Sequence, residues 1–217
     1  FYQGVLAQSS GRTMEAFDLL RHARTLDPTD PAIAFMLGGN YAQQGVSDRA
    51  LSLLEEAYGA DSTNLTYARA LSAGYIEAGR MQDALHINER LSEADPEDDD
   101  VRYRLIQLYA RTGELKKGIQ LATELQKRFQ PMPEAYGQLT KMKIQLLALS
   151  KDSVAVGREY RAWAALYPED RRPYYDWILH LFQTGGAKEA EKQLASDVRT
   201  GRISSGDATA LRVHKYI

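Results

Sequence analysis

Residues 31–64 read PAIAFMLGGNYAQQGVSDRALSLLEEAYGADSTN, and this stretch contains the pattern that decides the fold. Apolar and small residues recur three and four positions apart on either side of Gly45, a spacing that puts each set on one face of a helix. They are Ala34, Leu37, Gly38 and Tyr41, then Ala50, Leu54 and Ala57. Asp30 is a suitable cap for the first helix, and Pro31 suits its first turn, where no N–H is needed. The stretch predicts a hairpin of two helices, about 14 residues each, with a tight turn at Gly45.

The turn glycine recurs at a fixed interval along the sequence. Gly11, Gly45, Gly79 and Gly113 are each 34 residues apart, and each is followed five residues later by Ala or Gly. The next match, Gly185, comes 72 residues after Gly113, which is one interval of 34 plus one of 38. We therefore predict a helical repeat in which one unit contains a four-residue insertion, in the segment 150–153.

This interval divides residues 1–217 into a single array. The predicted units are a partial first unit at 1–30 and complete units at 31–64, 65–98, 99–132, 133–170 (with the insertion) and 171–204. Residues 205–217 are predicted as a capping helix or the start of a further unit. No hairpin buries its whole apolar face alone, so the units are expected to stack. Both ends fall inside units, and we expect a fragment of a longer protein.

The 34-residue unit and the large–small–aromatic signature of Leu37, Gly38 and Tyr41 resemble the tetratricopeptide repeat (TPR) family. The resemblance extends over nearly the whole sequence. It implies an all-α fold, a right-handed superhelix or α-solenoid of stacked antiparallel helix hairpins. Three positions depart from the family pattern. Lys143 replaces an aromatic residue, Asp197 an alanine and Arg102 a bulky apolar residue.

In such superhelices the first helix of each unit lines a concave inner surface. The repeat register assigns seven residues to a partner-binding groove there: Phe35, Arg69, Tyr103, Gln107, Lys141, Tyr175 and Phe182. Aromatic anchors suit the docking of a peptide or an amphipathic helix. An alternative for these aromatic residues is that they only fill the interior of the superhelix.

We therefore expect a protein–protein interaction scaffold or adaptor that binds a peptide or helix of a partner protein in the groove. Two other functions stay open. One is a structural module that self-associates through its end helices, and the other is the docking region of an enzyme whose catalytic domain lies outside this sequence. The general character of the repeats suggests a bacterial protein of the cytoplasm or the periplasm, and we favour a periplasmic or membrane-tethered one.

Composition argues against several other classes. A net charge of −2 gives no electrostatic footprint for nucleic acid. The absence of cysteine excludes thiolate metal sites and a cysteine nucleophile, and the four histidines have no metal-ligand spacing. The longest apolar run, residues 32–37, is far shorter than the roughly 20 residues of a transmembrane helix. We find no catalytic constellation, so we expect neither enzymatic activity nor a cofactor.

Overall fold

The computed structural model describes residues 1–213, which form α-helices and contain no strand. The helices are α1 (Tyr2–Ser9), α2 (Thr13–Leu26), α3 (Pro31–Gln43), α4 (Ser47–Ala60), α5 (Leu65–Glu77), α6 (Met81–Ala94), α7 (Asp99–Thr112), α8 (Leu115–Arg128), α9 (Pro133–Leu149), α10 (Ser153–Leu166), α11 (Arg172–Gln183), α12 (Ala187–Arg199) and α13 (Ser205–Val213). The all-α prediction is thus confirmed for the described residues. The predicted cap at residues 205–217 is described only as far as Val213, and residues 214–217 lie outside the described part.

The protein divides into two compact units. Unit 1 is Phe1–Glu114 and contains α1 to α7, and unit 2 is Leu115–Ile217 and contains α8 to α13. The five complete repeats predicted from the 34-residue interval each span two of these helices.

A glycine in the left-handed region reverses the backbone between the two helices of a hairpin. Gly45 has φ +75°, its N–H donates to the Ala42 carbonyl, and the Val46 N–H donates to the Tyr41 carbonyl at 2.9 Å. These paired bonds form the Schellman motif, which satisfies carbonyls left open at a helix end. The turns at Gly11 and Gly79 repeat the same two bonds. The 34-residue interval is therefore the interval between left-handed turn residues.

The four-residue insertion lengthens a helix and leaves the loop unchanged. Helix α9 has 17 residues, whereas α3 and α5 have 13 each, a difference of four residues or about one helical turn. Three residues, 150–152, connect α9 to α10, as three connect α3 to α4. The prediction that the segment 150–153 holds the extra residues is therefore wrong. Lys151 stands at the turn position, with φ +60° where the other turns have glycine.

Capping side chains start helices α3 and α5, the first helices of two hairpins in unit 1. Asp30 accepts a hydrogen bond from the Ala32 N–H at 2.8 Å, which confirms its predicted role. Asn64 accepts from the Thr66 and Tyr67 N–H groups in the same way at the start of α5. These caps fix where each first helix begins and so set the register of the surface it presents.

Two of the departures from the family pattern are buried polar side chains in unit 2. The Lys143 Nζ lies 2.8 Å from the Glu159 Oε1 and donates to the Gln126 Oε1 at 3.1 Å. The Gln126 Nε2 donates in turn to the Thr140 Oγ1 at 2.8 Å. Asp197, which is fully buried, accepts two hydrogen bonds from its α12 neighbour Gln193. Each departure is therefore accompanied by polar partners, as buried polar groups require.

Candidate partner-binding surface

Unit 1 contains an open groove between the first helices of two successive hairpins, α3 and α5. Leu51 and Leu54 of α4 form its floor, and the concavity has a volume of about 220 Å³. Eleven residues line it: Phe35, Gly39, Ala42, Ser47, Ala50, Leu51, Leu54, Ala70, Ala73, Gly74 and Glu77. An apolar cavity of about 150 Å³ holds a benzene ring. This groove therefore has room for one large apolar side chain.

Two adjacent glycines on α3 have different roles. A Cβ atom on Gly38 would lie 3.1 Å from the Leu54 side chain and 3.2 Å from the Ala50 carbonyl oxygen, so close packing of α3 on α4 requires this glycine. A Cβ atom on Gly39 would meet no atom within 4 Å. Packing thus explains Gly38, as the sequence predicted, whereas Gly39 only widens the groove.

The two ends of the groove differ in chemistry. Phe35, near the start of α3, packs its ring against Tyr67, with centroids 5.0 Å apart, and contributes the rest of its surface to the groove. Glu77, at the end of α5, lines the opposite end and has no ion pair within residues 1–213. The groove therefore offers an apolar contact at one end and a negative charge at the other.

Arg69 of α5 is held by an acid of the next hairpin. Its Nη2 lies 2.5 Å from the Asp98 Oδ2, and Asp98 also accepts a hydrogen bond from the Val101 N–H at the start of α7. Burial raises the pKa of Asp98, but the bonds from Val101 and Arg69 outweigh it and hold that pKa below its usual value. The Arg69 charge is therefore compensated within unit 1.

Tyr103 and Gln107 lie on α7, and neither lines the groove between α3 and α5. Tyr103 is half-buried, and this burial, followed by the negative charge of nearby Asp99, raises the pKa of the Tyr103 phenol. Gln107 is exposed. Of the four unit 1 residues that the sequence predicted for the groove, the concavity thus includes only Phe35.

The three remaining predicted residues lie in unit 2 and are not brought together. Lys141 forms an ion pair with Asp176, with 2.9 Å between Nζ and Oδ2. The Tyr175 hydroxyl donates to the Asp207 Oδ2 of α13 at 2.6 Å, and this bond, followed by burial, raises the pKa of Tyr175. Phe182 is only 7% exposed.

The assignment of Phe182 to an open surface needs correction. Its ring belongs to a core cluster with Ile203, Ala208 and Leu211, residues of α13 and the turn before it. The sequence register places Phe182 one position off the packing face of α11. It does not account for the C-terminal helix, which covers that face.

Unit 2 has a second concavity, of about 340 Å³, between α10, α11 and α12. Its walls are aromatic, and Tyr160 and Trp177 have ring centroids 5.4 Å apart. Burial, followed by the Asp176 charge, raises the pKa of Tyr160 to about 12. The sequence alone does not reveal this site, because its aromatic residues occupy packing positions and because Arg161 at its rim resembles any surface charge.

Other kinds of site were sought in the part of the protein that the structure describes. Residues 1–213 contain no group of three or more His, Cys, Asp or Glu side chains placed to hold a metal ion. Within the same residues, none of the helices has both the length and the apolar character to span a membrane. Self-association through the end helices stays a prediction.

Known proteins support the repeat assignment. The sequence model of the tetratricopeptide repeat family matches residues 75–141. Residues 75–141 are therefore tetratricopeptide repeat sequence. No curated protein matches this TPR sequence at a significant level.

Several solved TPR structures resemble it. MamA of AMB-1 is 21% identical, with 76% of this chain and 94% of that one covered and a TM-score of 0.61. A TPR protein of Parabacteroides merdae ATCC 43184 is 19% identical over 97% of this chain and 82% of its own, with a TM-score of 0.64. YrrB, described as a TPR protein with an unusual peptide-binding site, is 16% identical over 76% and 83%, with a TM-score of 0.64. At these identities the likeness establishes the fold alone.

Proposed function

We propose that this TPR array is a protein-interaction scaffold, and that unit 1 binds a peptide or helix of its partner in the groove between α3 and α5. The observation that carries the proposal is the groove floor. Leu51 is half-buried and Leu54 is only 4% exposed, and both line the groove between two helices whose facing positions are Gly39, Ala73 and Gly74. An apolar floor beneath small residues suits an inserted apolar side chain. YrrB, a TPR protein with a peptide-binding site, provides a precedent within the fold.

The two ends of the groove specify the partner further. An aromatic ring at Phe35 suits an apolar or aromatic residue, and the unpaired Glu77 carboxylate suits a lysine or arginine. We therefore expect the bound segment to carry a large apolar anchor with a basic residue nearby. Binding through such a small contact is expected to be transient.

A variant whose side chain fills the groove tests whether peptides bind there. Gly39→Leu adds a side chain where nothing lies within 4 Å, so the fold should tolerate it, and helix propensity favours leucine over glycine by about 0.8 kcal/mol. Gly59→Leu is a matched control, because Gly59 lies inside α4, has nothing within 4 Å and does not line the groove. Peptides would be selected on the wild-type protein from a random display library and titrated against both variants.

We expect selected peptides to contain an apolar anchor, to bind Gly59→Leu normally and to lose binding to Gly39→Leu. Glu77→Gln should weaken those peptides that contain a basic residue. If the peptides bind Gly39→Leu and Gly59→Leu equally, they use another surface and the groove proposal is wrong. Failure to select any peptide would also count against it.

A further inference from the structure

The aromatic concavity of unit 2 has the size of a small-ligand site. Its volume of about 340 Å³ lies at the lower end of the range for ligand clefts, about 300–1,000 Å³. Ten residues line it: Tyr160, Arg161, Ala164, Ala165, Pro168, Pro173, Tyr174, Trp177, Gln193 and Arg202. The Arg202 guanidinium, in the turn that follows α12, lies 5.2 Å from the centre of the Tyr174 ring. The site therefore combines aromatic walls with two cations.

None of these ten residues is acidic, and four carboxylates on the same helices and turns are already paired. Asp170 pairs with Arg172, Asp176 with Lys141, Glu159 with Lys143 and Asp197 with Arg202. The last of these pairs is long, 3.6 Å. Arg161 has no ion pair within residues 1–213. The positive charge at the rim is thus not fully compensated by the protein.

Two other hairpins show a different arrangement at the repeat position that Arg161 occupies. In unit 1, Glu55 stands ten residues after its turn residue (45 to 55) and accepts a hydrogen bond at 3.1 Å from the hydroxyl of Tyr75, four residues before the next turn residue. Glu89 and Tyr109 repeat this pair at 3.0 Å.

The same two positions in unit 2 are Arg161, ten residues after the turn residue Lys151, and Leu181, four residues before Gly185. Relative to these two hairpins, a cation stands in place of the acid and a leucine in place of the tyrosine. The first hairpin also has an arginine at this step, Arg21, but it keeps the tyrosine, Tyr41, four residues before Gly45. The internal partner of this position is lost, and its charge sign is reversed. The reversal opens the position to an external anion.

We propose that this concavity binds a carboxylate attached to an aromatic or large apolar group, with the apolar part against Tyr160 and Trp177 and the carboxylate on Arg161 and Arg202. Guanidinium groups suit carboxylates because their N–H donors match the two oxygens. Either the C-terminus of a polypeptide or an acidic side group next to an aromatic residue presents this chemistry. The site lies in unit 2, so it does not depend on the groove of unit 1.

Trp177 provides a direct readout. Both tryptophans of the protein are in unit 2, and only Trp177 lines the site, whereas Trp163 is fully buried. N-acetylphenylalanine, which has a free carboxylate, would be titrated with tryptophan-selective excitation, and N-acetylphenylalanine amide is the neutral control with the same aromatic body. Acetyl-Phe-Glu-amide and acetyl-Phe-Gln-amide then distinguish a side-chain carboxylate from a terminal one.

We expect saturable changes in tryptophan emission with the carboxylate ligands and dissociation constants of about 1 mM, as for a fragment of this size. The amide controls should bind at least about fivefold more weakly. Added salt should weaken the carboxylate ligands and leave the amides unchanged. Equal binding of each acid and its amide would refute recognition of the charge, and no binding at ~10 mM would refute the site.

Variants then locate the binding. Arg161→Gln should reduce carboxylate affinity about fivefold or more and leave amide binding within about twofold. Arg158→Gln, an exposed arginine of the same helix that does not line the site, should change neither. Arg202→Gln also removes the contact with buried Asp197, so its urea unfolding would be measured in parallel and Arg161→Gln is decisive.

The two proposals fail separately. Gly39→Leu fills the groove of unit 1 and should leave the tryptophan titration unchanged, whereas Arg161→Gln should leave the selected peptides unchanged. Loss of the titration in Gly39→Leu, or equal effects of Arg161→Gln and Arg158→Gln, would overturn the assignment of the carboxylate to this site.

Discussion

Removal of Lys143 tests whether the buried polar cluster of unit 2 is held by its charge pair. Lys143 occupies the aromatic position of the repeat signature, and its side chain is only 10% exposed. Lys143→Met keeps most of the length of the side chain and its apolar stem but removes the ammonium group. Glu159, whose side chain is 19% exposed, then keeps a carboxylate with no cation next to it. The Gln126 carbonyl oxygen loses its donor as well.

The size of the effect follows from the exposure of the two groups. Removing one partner of a fully buried ion pair costs about 3–5 kcal/mol, because an uncompensated charge stays behind. Both groups here retain some contact with water, so we expect a smaller loss, about 2–3 kcal/mol. Glu159→Gln removes the stranded charge, and the double variant should recover about 1–2 kcal/mol of the loss.

Urea unfolding followed by tryptophan emission reports on the unfolding of unit 2, which contains Lys143, because both tryptophans lie in that unit. The wild type, the two single variants and the double variant form a cycle that isolates the coupling energy. Arg158→Gln is the control for loss of a cation from an exposed helix position. A neutral or stabilising Lys143→Met, or a coupling below about 0.5 kcal/mol, would refute the reasoning.

Three further predictions concern unit 2. Lys151→Gly should raise the free energy of unfolding by about 0.5–1 kcal/mol and so raise the urea midpoint, because glycine adopts the left-handed conformation without the steric strain of lysine and this gain exceeds its entropy cost. An unchanged or lower midpoint would contradict this prediction. Gly137→Ala should lower stability by about 1–3 kcal/mol in the same assay, since its Cβ would lie 2.8 Å from the buried Trp163 ring, and a neutral result would mean that the helices can separate at no cost. Burial raises the pKa of Tyr160 in the folded protein to about 12, against 10.0 for an ordinary phenol. Below pH 10 the phenol is neutral in both the folded and the unfolded protein, so the shift has no effect on stability there. As the pH rises from 10 towards 12, the phenol ionises in the unfolded protein first, and the free energy of unfolding falls. Unfolding of wild type and Tyr160→Phe across that range should show a shallower pH dependence in the variant, and identical slopes would contradict it.

The fold was predictable because its chemistry is local. A left-handed turn favours glycine, so the residues that reverse the backbone are visible as letters at a constant interval. The insertion was harder to place. Lys151 adopts the same conformation without being glycine, so no letter marks the turn and nothing indicates that the extra residues precede it, inside α9.

The candidate site was predicted less well, because a register position specifies a helix face but not what covers it. Phe35 and Phe182 belong to the same predicted inner surface, yet one lines a groove and the other lies in the core under α13. Gly39 was within reach of the sequence, since its neighbour Gly38 already meets the packing requirement. A second glycine next to a packing glycine needs its own explanation, and open space is the simplest one.

The unit 2 site illustrates a stricter limit of single-residue patterns. Arg161, considered alone, is an arginine on a helix surface, and most such residues have no function. It becomes a candidate ligand-binding residue when it is compared with Glu55 and Glu89, which stand at the same position of the repeat and accept a hydrogen bond from a tyrosine. In the Arg161 hairpin, Leu181 stands in place of that tyrosine. A repeat protein offers comparisons within itself, because the hairpins with Glu55 and Glu89 show how this position is satisfied by an internal partner. Positions where the charge changes sign and the internal partner disappears together are the ones where an external ligand should be sought.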